Sequence, residues 1–257
     1  MLGYQEVITN QIYHNQIIVF TQPSIGNTGI NHKSFEAIVT NTKGIVVKEY
    51  SNVSTNRLGN LNLDLFLKQH NIPGIAGIDT RELTRRLNKK PTMKASIVDI
   101  DDEHAFDQLH ATVLTNQQVK QVSTTSPFPN TGDGNNIVLI DFGLKYGILR
   151  KLADLDCNVI VMPWDTSSKA IFDLDPDGVV LSTGPGSPLD LPSSVLDMIK
   201  DVQKEIPMFS MGLGHELFAL ANGANVYKLD GEHHGSNHPI RQIITNQIIY
   251  ASQSEGY

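Results

Sequence analysis

The chain has one cysteine and one tryptophan in 257 residues, no excess of basic charge and no long apolar run. A single Cys157 excludes an intrachain disulfide and fits a reducing compartment. The net charge is −7, and basic residues are nowhere denser than in "RELTRRLNKK" (81–90), so no basic face is offered to nucleic acid or an anionic membrane. No apolar stretch approaches the ~20 residues of a membrane span. The opening "MLGYQEVITN" has no basic segment followed by an apolar one, so no secretory leader is expected and the cytoplasm is the expected compartment. What is present is a 40% apolar share against 18% charged, enough for the core of one large domain or two of ordinary size.

The sharpest compositional break is "VSTTSPFPNTGDGNN" (122–136), dense in Ser, Thr, Pro, Gly and Asn. It divides the chain into a first domain over 1–122, a linker over 123–135 and a second domain over 136–257. Beyond the break, strands and helices alternate. "NIVLIDF" (136–142), "NVIVMPW", "GVVLST" and "PMFSM" read as strands, and "LKYGILRKLADLD", "SSKAIFDL", "SSVLDMIKDVQKEI" and "HELFALANGA" as helices. That alternation predicts a parallel sheet covered on both faces, with ligands at the carboxyl ends of its strands. Those ends carry "DFG" (141–143), "TGPGSP" (183–188) and "MGLGHE" (211–216). The first 120 residues predict a small mixed α/β or β-rich domain, with strands in "QIIVFTQP", "EAIVTNTKGIVVKEY" and "KASIVDI" and helices over 61–70 and 80–89. Asp79 or Thr80 caps the second helix, with Glu82 in its first turn.

Small residues after a strand let backbone N–H groups approach a ligand, so Gly184 and Gly186 are candidates for an oxyanion site; an ordinary Gly-Pro turn is the other reading. A strand-to-helix turn that holds a nucleophile needs small residues two positions on either side, and Ser210 and Gly214 meet that need around position 212. Position 212 itself is glycine, which has no reacting atom. His233, His234 and His238 crowd "GEHHGSNHP"; without Cys or regular ligand spacing, structural hydrogen bonding is expected of them rather than a metal. Cys157 is expected to be a small buried hydrophobe.

Seven segments, in order, resemble one family: "GYQEVITN", "PSIGNTG", "GIAGIDTRELTRRL", "DFGLKYGILRKL", "PDGVVLSTGPGSP", "LGHELFALANGA" and "HHGSNHP". They are similar to the small subunit of carbamoyl phosphate synthase, a class I glutamine amidotransferase. The resemblance implies a flavodoxin-like amidotransferase domain with a parallel sheet and flanking helices behind an N-terminal mixed α/β domain. It implies hydrolysis of L-glutamine by a Cys on the elbow, with a His and a Glu further along. The ammonia passes to a large-subunit partner, in a heterodimer or higher assembly, for carbamoyl phosphate in arginine and pyrimidine synthesis. ATP and Mg belong to that large subunit, and no cofactor or metal is expected in this chain.

Carried onto this sequence, the family's glutamine-contacting positions fall on Gly184, Gly186, Leu213, Gly256 and Tyr257, which match. Others depart. The family's "GICLGHQ" is "SMGLGHE" here, which puts Gly212 at the nucleophile position and Glu216 in place of a substrate-binding Gln. Ser254 stands for a glutamine-contacting Asn, and Ile12 for a substrate-contacting Ser. The chain also resembles a family member shortened at both ends, without the segment carrying the His and Glu. No intact catalytic residue is therefore expected, and Ser210 and Cys157 are not expected to substitute. The expectations are a family member by descent without glutaminase activity, or else a non-catalytic module that binds the large subunit, or a decaying gene copy.

Overall fold

A computed structural model describes residues 3–54, 59, 61–89, 93–98, 102–229 and 233–257, the side chains of His233, Ser236 and Glu255 excepted. In the first part, α1 (Tyr4–Ile8), β1 (Ile17–Val19), β2 (Ser24–Ile25), β3 (Gly44–Val46), β4 (Glu49–Tyr50), α2 (Leu63–Gln69), β5 (Gly74–Ile75), α3 (Thr80–Leu87), α4 (Ala105–Ala111) and α5 (Gln118–Val122) follow one another. Three strands form a parallel sheet in the order β1-β3-β5, and β2 pairs in parallel with β4. Tyr4, Ile8, Phe20, Ile25, Ile45, Leu63 and Phe66 make their core. Asn62 and Asp79 cap α2 and α3 through side-chain oxygens, each accepting the N–H three residues on.

Two strand expectations fail here. Residues 36–43 are irregular, so the long "EAIVTNTKGIVVKEY" strand is reduced to β3 and β4. The Ala37–Val39 run looks β-like, yet Ile38 and Val39 are exposed while Glu36 is buried, because Glu36 turns away to meet the second part of the chain. "KASIVDI" forms no strand over 94–98, and 99–100 lie outside the described residues.

The second part holds β6 (Phe128–Asn130), β7 (Asn136–Asp141), α6 (Tyr146–Asp154), β8 (Asn158–Pro163), α7 (Ser168–Phe172), β9 (Gly178–Leu181), α8 (Ser193–Val202), β10 (Met208–Ser210), α9 (Leu213–Ala221), β11 (His233–Arg241) and β12 (Ile248–Glu255). The sheet order is β10-β9-β7-β8-β6, with the first four strands parallel and β6 antiparallel to β8. The parallel strands thus run 2-1-3-4 in chain order, the flavodoxin-like winding, whose switch point falls between β7 and β9. The expected all-parallel sheet gains an antiparallel edge strand from the predicted linker. Side chains alternate across the sheet as strand geometry requires. Val138, Ile140, Val179 and Leu181 pack under α7, α8 and α9, while Leu139, Val159, Val161 and Val180 pack under α6. The pair β11–β12 forms a separate antiparallel hairpin.

Candidate active site

The carboxyl ends of β7, β9 and β10 meet through close backbone contact. At the end of β7, Asp141 is 5% exposed and accepts backbone N–H bonds from Gly143 (2.9 Å), Leu144 (2.7 Å) and Thr124 (2.7 Å). Burial raises its pKa above the usual carboxylate value, against the pull of those three donors. The turn so formed touches the loop after β9. A Cβ on Gly184 would collide with the Phe142 carbonyl oxygen and lie 2.8 Å from Leu213 Cδ2, and one on Gly143 would lie 2.8 Å from Pro185 Cδ. Gly184 needs glycine for closeness alone, and Gly143, at φ +140°, for its conformation as well.

The elbow follows β10. Met211 donates its N–H to Leu181 (3.1 Å), and Gly212 then adopts φ +50°, ψ −125° at the N-cap of α9. Its carbonyl accepts from His215 (2.8 Å) and Glu216 (3.0 Å), which starts the helix. Leu213 is buried at the first helical position, where its N–H has no acceptor within its own helix. A Cβ on Gly214 would stand 2.7 Å from Leu181 Cβ and from the carbonyl oxygens of Leu181 and Ser182. Only a residue without a side chain lets the helix start lie so close to β9. At the apex the neighbour is Thr183, whose Cγ2 is 3.2 Å from a Cβ built on Gly212. The geometry is a nucleophile elbow, and its apex carries a hydrogen atom where a reacting side chain would stand.

Gly184, Gly212 and Leu213 are therefore in mutual reach, with Gly186 (φ +88°) on the same loop and Glu216 half-buried in the first turn of α9. Ile12 and Ser254 form a second group. Ile12 lies in a short turn over 11–13, and its neighbour Tyr13 receives a 3.1 Å hydrogen bond from Ser254 Oγ across 241 residues of sequence. His234 Nδ1 is 3.0 Å from the same Oγ. Gly256 accepts from Leu229 N–H at 2.9 Å, and Tyr257 is half-buried. Among the described residues, no three His, Cys, Asp or Glu side chains are placed to hold a metal. Cys157 is 9% exposed at the amino end of β8, away from the elbow.

Sequence reasoning missed α5. Its residues reach both groups: Gln118 Oε1 is 3.0 Å from a Cβ built on Gly186, Val122 Cγ2 is 3.2 Å from one on Gly143, and Gln121 Oε1 is 2.7 Å from His14 Nε2. Apolar Val119 and Val122 are its only local marks, too few for a periodic signal.

The doubly wound sheet, the elbow on β10 and the glycine loop on β9 define a class I glutamine amidotransferase domain, and the family description "Glutamine amidotransferase class-I" matches residues 138–257. "Carbamoyl-phosphate synthase small chain, CPSase domain" matches residues 1–97. The chain is 49% identical to the carbamoyl phosphate synthase small chains of Streptococcus pneumoniae serotype 4 and Streptococcus mutans serotype c, and 46% identical to that of Lactococcus lactis subsp. cremoris. Each alignment covers 100% of this chain and 71–72% of the relative. The chain belongs to the carbamoyl phosphate synthase small chain family.

Proposed function

We propose that the chain is a small-chain-type subunit that keeps the amidotransferase framework and does not hydrolyse glutamine. The observation that carries this is Gly212. Amide hydrolysis through a covalent intermediate needs an attacking atom at the elbow apex, and glycine supplies none. When an elbow nucleophile is lost, only the rate enhancement from binding and oxyanion stabilisation remains. Neither of the other candidates replaces it. Ser210 lies two residues back on β10, and Cys157 lies at the opposite end of the sheet.

In this reading Gly184, Gly186 and Leu213 present backbone N–H groups to an amide or its oxyanion, with Glu216, Ser254, Gly256, Tyr257 and Ile12 around the rest of the pocket. Gly212 marks the empty nucleophile position. The division into 1–122, linker 123–135 and 136–257 stands as part of the same proposal. The relatives' name, small chain, supports a large-subunit partner, and ATP and Mg chemistry belongs to that partner. Packed cores in both parts and capped helices support a folded module over a decayed copy.

The test is ammonia release from L-glutamine by the chain mixed with a carbamoyl phosphate synthase large subunit. Release at background level, together with co-elution of the two proteins on sizing, supports the proposal. Glutamine-dependent release at the rate of an intact relative overturns its first half, and separate elution overturns its second.

A further inference from the structure

His14 is a buried histidine at the seam between the two parts of the chain. It is 7% exposed; its Nε2 meets Gln121 Oε1 at 2.7 Å, and its Nδ1 has no hydrogen-bond partner among the described residues. The segment around it is fastened to the first domain. Asn15 N–H donates to Asn41 (3.2 Å), Lys43 N–H to Gln16 (2.8 Å), and Asn41 Nδ2 to Gln11 Oε1 (2.6 Å). Gln121 belongs to α5, the last helix of the 1–122 segment, which nevertheless packs on the second domain. Val119 is buried with Phe142, Leu181 and Leu213, and the residues after the helix hold Asp141 and Trp164, through Thr124 N–H to Asp141 (2.7 Å) and Trp164 N–H to Ser123 Oγ (3.1 Å). Gln118 and Val122 lie three residues before and one after Gln121, and they touch Gly186 and Gly143.

We infer that α5 is the positioning element of the amidotransferase loops, and that the His14–Gln121 contact locks it to the N-terminal domain only while His14 is neutral. A neutral imidazole donates from Nε2 to the Gln121 oxygen and leaves Nδ1 as an acceptor lone pair, which costs less to bury unpartnered than a charged N–H. An imidazolium has a second N–H at Nδ1, and no acceptor stands there to receive it. A nearby charge opposes it too. Lys43 acts on His14 from the strand-β3 side, and among the described residues no carboxylate acts on the ring; Lys120 is the one charged side chain on α5 itself. Burial, the largest cause, and Lys43 lower the His14 pKa, while the Gln121 hydrogen bond raises it. Proton uptake is therefore favoured when His14 leaves the seam, and acid releases α5. The lock holds whether or not glutamine is hydrolysed.

The test is hydrogen exchange of the whole chain, read by mass on peptides covering 10–16 and 141–145, whose Phe142, Gly143 and Leu144 N–H groups are hydrogen-bonded, and corrected for intrinsic exchange, at about pH 7.5 and about pH 5.5, a range that spans ordinary His titration. In the native sequence, protection of both peptides is expected to fall in acid, by up to about tenfold per pH unit, the limit for one proton. His14→Gln, which bonds without titrating, is expected to make protection independent of pH. Gln121→Glu, isosteric and able to pair with an imidazolium, is expected to abolish or reverse the acid loss. Equal protection at both pH values in the native sequence overturns the lock, as does an unaltered acid loss in Gln121→Glu. Loss confined to 10–16, with 141–145 unmoved, overturns the positioning of the loops.

Discussion

Glu36 and Gly147 are 111 residues apart, and the Glu36 carboxylate accepts the Gly147 N–H at 2.7 Å. Gly147 is the second residue of α6, and the N–H of the first, Tyr146, donates to the Glu36 backbone carbonyl at 2.9 Å. One residue of the N-terminal domain thus satisfies the first two N–H groups of a helix in the amidotransferase domain, with its charge at the favoured end of the helix dipole. Arg150 Nη2 completes the arrangement at 3.2 Å from Glu36 Oε1, and its Nη1 donates to the Phe35 carbonyl.

Glu36→Ala removes the cap and leaves the Arg150 side chain, half-exposed, without its carboxylate. The expected loss is about 2 kcal/mol, below the ~3–5 kcal/mol of a fully buried pair because Arg150 still reaches water. Glu36→Gln keeps an acceptor for Gly147 and is expected to cost less than about 1 kcal/mol. Urea midpoints of the two variants check the order; equal losses would show that charge rather than capping holds the seam.

Gly214 and Gly212 are two residues apart and are expected to respond differently to alanine. At Gly214 the new methyl meets two backbone oxygens and Leu181 Cβ at 2.7 Å, none of which can move aside, and the expected cost is about 3 kcal/mol or more. At Gly212 the methyl has 3.2 Å to a Thr183 methyl, so the cost is the backbone conformation, about 1–2 kcal/mol. Thermal melts of the two variants compare them directly. A Gly212→Ala loss as large as that of Gly214→Ala would contradict the packing at the elbow.

Gly212→Cys places a thiol at the N-cap of α9, where the helix end favours the thiolate. Alkylation by iodoacetamide near neutral pH is expected to modify the introduced thiol at least about tenfold faster than buried Cys157. Peptide mapping of a brief labelling reaction gives the ratio. Equal labelling would mean that the apex is closed to solvent or lacks the helix-end field.

Asp141 gives a pH signature. Its folded pKa is raised, so the folded chain binds the proton more tightly than the unfolded chain. The stability it contributes is complete below the unfolded pKa, near 3.8, and is lost as pH rises through the folded value. Asp141→Ala leaves three backbone N–H groups without their acceptor, an expected cost of about 3 kcal/mol at neutral pH. The gap between native and variant stability is expected to widen as pH falls into that window, and denaturant midpoints at several acid pH values measure it. A gap that narrows would show that the three donors outweigh burial.

Much of the larger sheet was legible because its strands are buried on both faces. "NIVLIDF" and "GVVLST" read as apolar runs between helical patterns, and the order of those units sets the winding. The elbow was legible from Ser210 and Gly214, although α9 begins at Leu213, two residues before the helical pattern was read. Its early start follows from the contact of Gly214 with β9, a tertiary cause with no local signature. The misread 36–43 strand has the same origin, since Glu36 is buried by a helix more than a hundred residues away. The Tyr13–Ser254 bond, the His14–Gln121 contact and the seating of Gln118 on Gly186 were illegible for that reason too. Each joins segments whose own patterns carry no trace of the partner.

The apex conformation has one more consequence. A residue with a Cβ at φ +50°, ψ −125° sits outside the regions its own sterics favour, and the surrounding structure must force it there. Glycine occupies the same point with little conformational penalty. The packing of Leu181, Ser182 and Thr183 around this turn thus encloses a backbone at ease, whereas a cysteine at the apex would be held under tension. The residue that withholds a reacting atom and the residue that releases the tension are one and the same, so the turn without a nucleophile is also the sturdier turn.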